Sequence, residues 1–180
     1  IGDSIMIFAM DDGDDGIYGS ELWRTNGTPD GTFMLKDIYP GMYDETTPFE
    51  STPRSFYTFK DEVYFSAFAE GKGFELHKTD GTENGTVLIK DIYPDGVGGT
   101  NTTTEFIAFK EKLFFSAFSD KSPKNTYNKE LWVSDGTTAG TTKLKDINAQ
   151  SYSDPHNFMI MADSLYFIAR DSSNTDHLWV

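Results

Sequence analysis

Cysteine is absent from the 180 residues. That excludes a disulfide frame, a zinc–thiolate centre and a cysteine nucleophile. No run of 18 apolar residues occurs, so no helical membrane span is written into the chain. Positive charge is scarce: 15 Lys and Arg stand against 29 Asp and Glu, a net charge of −14. Nucleic-acid binding needs the opposite balance, because phosphate contacts dominate its affinity, and an anionic membrane surface would repel the chain. Arg24, Arg54 and Arg170 are too few for an arginine cluster. His77, His156 and His177 lie far apart and lack metal-ligand spacing, so they read as packing or surface residues. Ser20 sits in Tyr-Gly-Ser-Glu-Leu, which is no nucleophile elbow. Gly71-Lys72-Gly73 is a hairpin turn rather than a phosphate cradle, since no helix follows it. Nothing singles out two carboxylates for glycoside hydrolysis.

What the chain does have is aromatics, at 15%, and repetition. One block pairs two aromatic-rich runs across a short polar turn: SFYTF-KDE-VYFSAF from Ser55, EFIAF-KEK-LFFSAF from Glu105 and NFMIM-ADS-LYFIAR from Asn157, with a short first copy, GDS-IMIFAM. A second block reads ELWRTNGTPDGTFMLKDI from Glu21, ELHKTDGTENGTVLIKDI from Glu75 and ELWVSDGTTAGTTKLKDI from Glu130, and HLWV begins a fourth at His177. Leu22, Leu76, Leu131 and Leu178 mark the same point in each copy, a period of roughly 50 residues.

Each period holds four strand-like runs, a to d; in the second repeat they fall near 55–59, 63–69, 74–79 and 86–92. No stretch has helical apolar spacing over ten residues. The expected fold is therefore all-β, with β-propeller-type four-stranded antiparallel blades. The blades divide the chain into a partial one at 1–41 (b-c-d), whole ones at 54–94 and 104–148, and a partial one at 156–180 (a-b-c). About three and a half blades, opening inside a b strand and closing inside a c strand, are expected of a segment of a longer chain. Runs such as VYFSAF are apolar on nearly every residue, which suits sheets buried on both faces. The a–b and c–d links are tight, whereas the b–c and d–a links vary, so function is expected among the variable loops.

The c–d turns carry Asn26-Gly27-Thr28, Asp80-Gly81-Thr82 and Asp135-Gly136-Thr137. Gly accepts positive φ, and Asp or Asn closes an Asx turn onto backbone amides two residues on. Thr32, Thr86 and Thr141 are placed to tie their hydroxyls back into the loop. The Leu of each copy is expected in the core between blades, with Trp23, Trp132, Trp179 and His77 on the opposite face. A device repeated in every blade is read as structural, since a catalytic constellation needs different residues converging once.

The pattern Glu-Leu-Trp-x-x-Asp-Gly-Thr-x-x-Gly-Thr, followed by Lys-Asp-Ile, resembles the ELWxxDGT repeat family along the whole chain. Asn26, His77 and His177 depart from it. The resemblance implies a propeller-like repeat protein in an extracellular or cell-surface setting and carries over no catalytic residue. The c–d turn is also similar in kind to the Asp-box hairpin of sialidase propellers, with different spacing.

Four further features are candidates. Asp11, Asp12, Asp14 and Asp15 gather hard carboxylates on a Gly-rich loop, as Ca²⁺ requires; their spacing breaks the EF-hand rule, and a solvated acidic loop is the competing reading. Asn26, Asn84 and Asn101 head N-glycosylation sequons, which in the first two cases double as turn chemistry. Residues 45–53 and 98–105 have the composition of O-glycosylated or plain flexible loops. Tyr43, Phe49, Tyr127 and Tyr152 are aromatics on the variable loops. The expected function is a non-enzymatic, structural role in a surface or fibrous glycoprotein, with other copies or further repeats of the protein as partners. The alternative is a carbohydrate- or protein-binding adhesin using the loop face. Neither nucleic acid nor membrane insertion enters.

Overall fold

A computed structural model describes residues 4–13, 16–94, 98–100, 104–121 and 127–180. Their strands form four antiparallel sheets, each a meander in chain order. Sheet one holds β1 (Met6–Asp11), β2 (Ser20–Thr25) and β3 (Phe33–Lys36). Sheet two holds β4 (Arg54–Phe59), β5 (Glu62–Ala69), β6 (Gly73–Thr79) and β7 (Val87–Lys90). Sheet three holds β8 (Phe106–Phe109), β9 (Lys112–Lys121), β10 (Tyr127–Ser134) and β11 (Thr142–Lys145). Sheet four holds β12 (His156–Met161), β13 (Ser164–Arg170) and β14 (Asp176–Trp179). No helix among the described residues is long and apolar enough to cross a membrane.

The sheets stack in sequence order, and the core lies between them. Leu22 packs with Val63, Phe65 and Ala67; Leu76 with Leu113, Phe115 and Ala117; Leu131 with Leu165, Phe167 and Ala169. Each c-strand Leu thus points forward, onto alternate residues of the next b strand, as the period-two pleat requires. The neighbouring residue points back. Trp132 enters the core shared with sheet two, Trp179 packs on the core shared with sheet three, and His77 stacks on Phe65 at 5.6 Å. Strand β5 is buried along Val63–Ala67 because a sheet covers each side, whereas β13 buries only alternate residues. Truncating Leu76, which is fully buried, to Ala should cost about 2–5 kcal/mol.

Two expectations need correction. Leu178 occupies the repeat position of the core leucines but is 70% exposed, because no described sheet lies in front of sheet four. The first copy also sits one residue later than its aligned sequence. Leu22 pairs with Ala9 where Leu76 pairs with Ser66, so Met6, not Ile5, stands at the place of Val63. A one-residue slip exchanges the two faces of a strand; here it turns Met6, Phe8 and Met10 to the rear and Ile7 into the core with Leu22.

Both edges of the stack are fastened. On one edge the d–a links bridge neighbours: Phe68 N donates to Ser51 O, Phe118 N to Gly99 O and Arg170 N to Ser153 O, while Thr52 N, Thr100 N and Ser153 N bond back to Ser20, Phe74 and Lys129 carbonyls. On the other edge Lys36 Nζ donates to Thr86 O and Lys90 Nζ to Thr141 O, each at 2.7 Å. Arg24 donates to Gly81 O at 2.6 Å. The two-residue a–b turns place Lys60, Asp61, Lys110 and Glu111 at positive φ, the backbone of a type I′ hairpin.

Candidate functional site

The repeated motif forms two built sites in each complete copy. The first is a buried carboxylate. Glu21, Glu75 and Glu130 are fully buried. Glu75 accepts from the amides of Ile92 (2.9 Å), Tyr93 (3.2 Å) and Gly99 (2.6 Å). Glu21 accepts from Ile38 N, Tyr39 N, Ser51 N and the Ser51 hydroxyl. Glu130 takes Ile147 N, Ser153 N and the Ser153 hydroxyl. Each carboxylate therefore holds the end of its own d strand and one residue of the link to the next sheet. Burial pushes the Glu75 carboxyl up to about 7, against the pull of the amides of Ile92, Gly99 and Tyr93. Burial likewise raises Glu21 and Glu130, against the Ser51 and Ser153 hydroxyls.

The second site is the c–d turn. Asp80 Oδ1 accepts from Thr82 N and Thr82 Oγ1 at 2.9 and 2.6 Å, and Asn26 and Asp135 do the same with Thr28 and Thr137. The Thr82 hydroxyl and amide hold Asp80 below the usual carboxylate range. The Thr86 hydroxyl donates to Thr82 O at 2.8 Å and shares a bond with Thr79, whose oxygen takes Gly81 N. Gly27, Gly81 and Gly136 sit at φ of 86°, 88° and 93°. The second glycine of the motif has a different reason: a Cβ on Gly31, Gly85 or Gly140 would strike the side chain of Asn26, Asp80 or Asp135.

Sequence reasoning explained the turn but missed Glu21, Glu75 and Glu130, the reach of Lys36 and Lys90, and the tight approach at Gly31, Gly85 and Gly140. The available signal was their recurrence at one position in every complete copy.

The remaining candidates fall as follows. Asp12 is spent on its own loop, taking Ile17 N, Tyr18 N and Gly19 N, and Asp11 takes Gly13 N. Asp14 and Asp15 lie outside the described residues, and among the described residues no three metal-ligating side chains cluster. Asn26 and Asn84 are exposed on the turn edge, but Thr86 of the second sequon is buried and its hydroxyl committed to Thr82 O. Asn101 lies outside the described residues. Tyr43 is 78% exposed at the tip of a small hairpin closed by Phe49 N to Gly41 O and Tyr43 N to Thr47 O. Phe49 stacks on Tyr39 at 4.5 Å, Tyr39 meets Phe68, Phe68 meets Phe74, and Arg54 lies 4.2 Å over the Phe74 ring. Phe49 is thus used within its loop layer. Tyr152, on another link, accepts from Arg170 at 2.9 Å. The Tyr127 side chain lies outside the described residues. His77 is buried, donates from Nδ1 to Glu75 O, and is held by burial down to about 4. His156 and His177 stand apart from it, bonded to Asp154 O and Asp171.

No family model matches the chain, and no curated protein sequence does. Two solved structures are similar to it. An α-L-arabinofuranosidase of Clostridium thermocellum ATCC 27405 is 14% identical with a TM-score of 0.39, over 94% of this chain and 58% of the enzyme. An exo-β-1,3-galactanase of Clostridium thermocellum is 14% identical with a TM-score of 0.42, over 97% of this chain and 42% of the enzyme. The chain spans about half the length of these proteins, and no residue role passes from them to it. The fold it does have is plain: an all-β stack of antiparallel sheets of three and four strands.

Proposed function

We propose that this chain is a segment of a β-propeller-type array of ELWxxDGT-like repeats, with a non-enzymatic, structural role in an extracellular or cell-surface protein. One observation carries the reading: in the three complete copies the repeated Glu and Leu tie neighbouring sheets together and the Asp or Asn, Gly and Thr close the turn, from the Glu75 clasp to the Asp80 turn. The close approach of the inner strands β4 and β8, and of β8 and β12, supports a radial arrangement of the blades. The acidic surface suits a solvated exterior, and Asn26 offers glycan attachment on the regular edge; a sugar on Nδ2 leaves Asn26 Oδ1 free to close its turn.

The test is localisation in cells that make the protein. Antibody against the chain should label intact cells, and external protease should release it. Confinement to the cell interior refutes the reading, as does turnover of a panel of aryl glycosides by the purified chain.

A second reading has one observation in its favour: Tyr43 is 78% exposed on the hairpin whose Phe49 stacks on Tyr39, the kind of exposed aromatic that stacks on a sugar or peptide. Binding on a glycan array that is lost in Tyr43→Ala would establish it.

A further inference from the structure

His77 replaces the tryptophan of the repeat, and the exchange leaves a pocket. It stands where sheet three carries Trp132: each pairs with a phenylalanine of its b strand, His77 with Phe65 and Trp132 with Phe115. Imidazole is smaller than indole by a fused benzene ring. Beside His77, at the junction of sheets one and two, a pocket of about 330 Å³ is walled by Ile38, Ala69, Val87 and Leu88 and reached by Lys36. It lies inside the stack, between two sheets, and not on an end face.

The other junctions say what fits there. The lysine of each Lys-Asp-Ile run reaches forward onto the next sheet. Lys90 Nζ lies 5.9 Å from the centre of the Trp132 ring, and Lys145 Nζ 5.1 Å from that of Trp179, within the range of a cation–π contact. Lys36 reaches forward in the same way, its Nζ donating to Thr86 O as Lys90 Nζ donates to Thr141 O. The sheet in front of it offers no tryptophan. A ring bound beside His77 would stand to Lys36 as Trp132 stands to Lys90.

His77 adds one polar demand. The residue is 3% exposed. Phe65 stacks on one face of its ring, and Nδ1 is committed to Glu75 O at 3.0 Å. A carbonyl can only accept, so Nδ1 carries the proton, and in the neutral ring that burial enforces Nε2 is a bare acceptor. Among the described residues Nε2 has no hydrogen-bond partner. A ligand that suits the pocket is therefore flat, aromatic and largely apolar, with an N–H or O–H donor at its edge.

We propose that the pocket at His77 binds a small aromatic molecule with one hydrogen-bond donor, of the size of an indole or a phenol, whose ring takes the place of the missing tryptophan and whose donor bonds His77 Nε2. The site goes beyond the structural role above and stands whether or not that role holds.

Indole is the probe. Titrated into the whole 180-residue chain at neutral pH, it should bind saturably with a Kd of about 0.1–1 mM, as suits a ligand of so few atoms. The amides of Val87 and Leu88 and the His77 ring signals should shift in NMR spectra with the same Kd. Indene, which has the same shape and no N–H, should bind about tenfold more weakly, since it leaves Nε2 unpaired. His77→Trp fills the pocket with the side chain that sheet three already carries at that position; it should abolish binding while its melting temperature stays at or above the parent's. No saturable binding of indole, shifts confined to residues elsewhere, indene as tight as indole, or undiminished binding by folded His77→Trp overturns the proposal. Should His77→Trp fail to fold, the indole and indene titrations and the shifts decide on the parent alone.

Discussion

Replacing Glu75 by Ala tests the claim that the buried glutamates clasp the stack. The substitution removes the carboxylate to which the amides of Ile92, Tyr93 and Gly99 are bonded at 2.9, 3.2 and 2.6 Å. A buried donor left without a partner costs about 1–3 kcal/mol. Three of them would cost roughly 3–9 kcal/mol if nothing replaced the carboxylate. The vacated space can admit a water that restores one or two bonds, so the expected loss is about 3–5 kcal/mol, a large part of the roughly 5–15 kcal/mol that holds a domain together. Urea unfolding should show the midpoint falling by about 2 M with the slope unchanged. Hydrogen exchange should show protection lost first at Ile92, Tyr93 and Gly99. Glu75→Gln should cost about half as much, since one oxygen remains while the amide sets N–H against N–H. Exposed Glu83→Ala, the control, should stay within about 0.5 kcal/mol. A loss below about 1 kcal/mol for Glu75→Ala, or amides that keep their protection, refutes the clasp.

The same carboxylate predicts a pH effect. A folded value near 7 means that Glu75 contributes stability below about pH 4.5 that is lost as pH rises through 7. His77, held near 4, works in the other direction: its contribution is present above about pH 6.5 and lost as pH falls through 4. Stability of Glu75→Gln relative to the parent should therefore climb as pH rises from about 4.5 to 7, and that of His77→Phe should climb as pH falls from about 6.5 to 4, each by at most about 1.4 kcal/mol per pH unit; difference curves from thermal melts that stay flat would sink the assignment. Glu111→Gly relieves a left-handed residue at φ 61° and should raise stability by about 0.5–1 kcal/mol, because its ion pair to Lys60 is exposed and contributes little; a lower melting temperature would count against the type I′ turn.

Much of this architecture was legible because repetition does the work of many sequences. Asp80-Gly81-Thr82 announces a turn through local chemistry, and the turn is closed by atoms two to seven residues apart. Leu22, Leu76 and Leu131 announce a core through their period. Glu75 was not legible: an acid in a strand reads as solvent-facing, and its partners are backbone amides 17 to 24 residues downstream, which no side-chain pattern reveals. Gly85 was equally silent, since what forbids a Cβ there is the Asp80 side chain folded over it. Leu178 shows the opposite failure. Its position in the repeat says core, but burial belongs to the neighbour that covers a face, and a residue does not carry its neighbour with it. The first copy stands one residue away from its aligned place, a slip too small for its short apolar run to reveal.

The clasp also bears on how such a chain changes over evolutionary time. Glu21 reaches Ser51, Glu75 reaches Gly99 and Glu130 reaches Ser153, so every link is gripped by the sheet before it and hands a carbonyl to the sheet after it. Gene duplication that inserts one full period delivers both the gripping acid and the gripped link, and the seam heals wherever the copy is spliced. Insertion inside the Asp11–Ser20 loop leaves the Glu21 clasp on Ser51 in place. Loss of a few residues between an acid and its partner breaks two sheets at once. Lineages carrying this pattern should therefore differ by whole periods and by loop lengths, and rarely by anything in between.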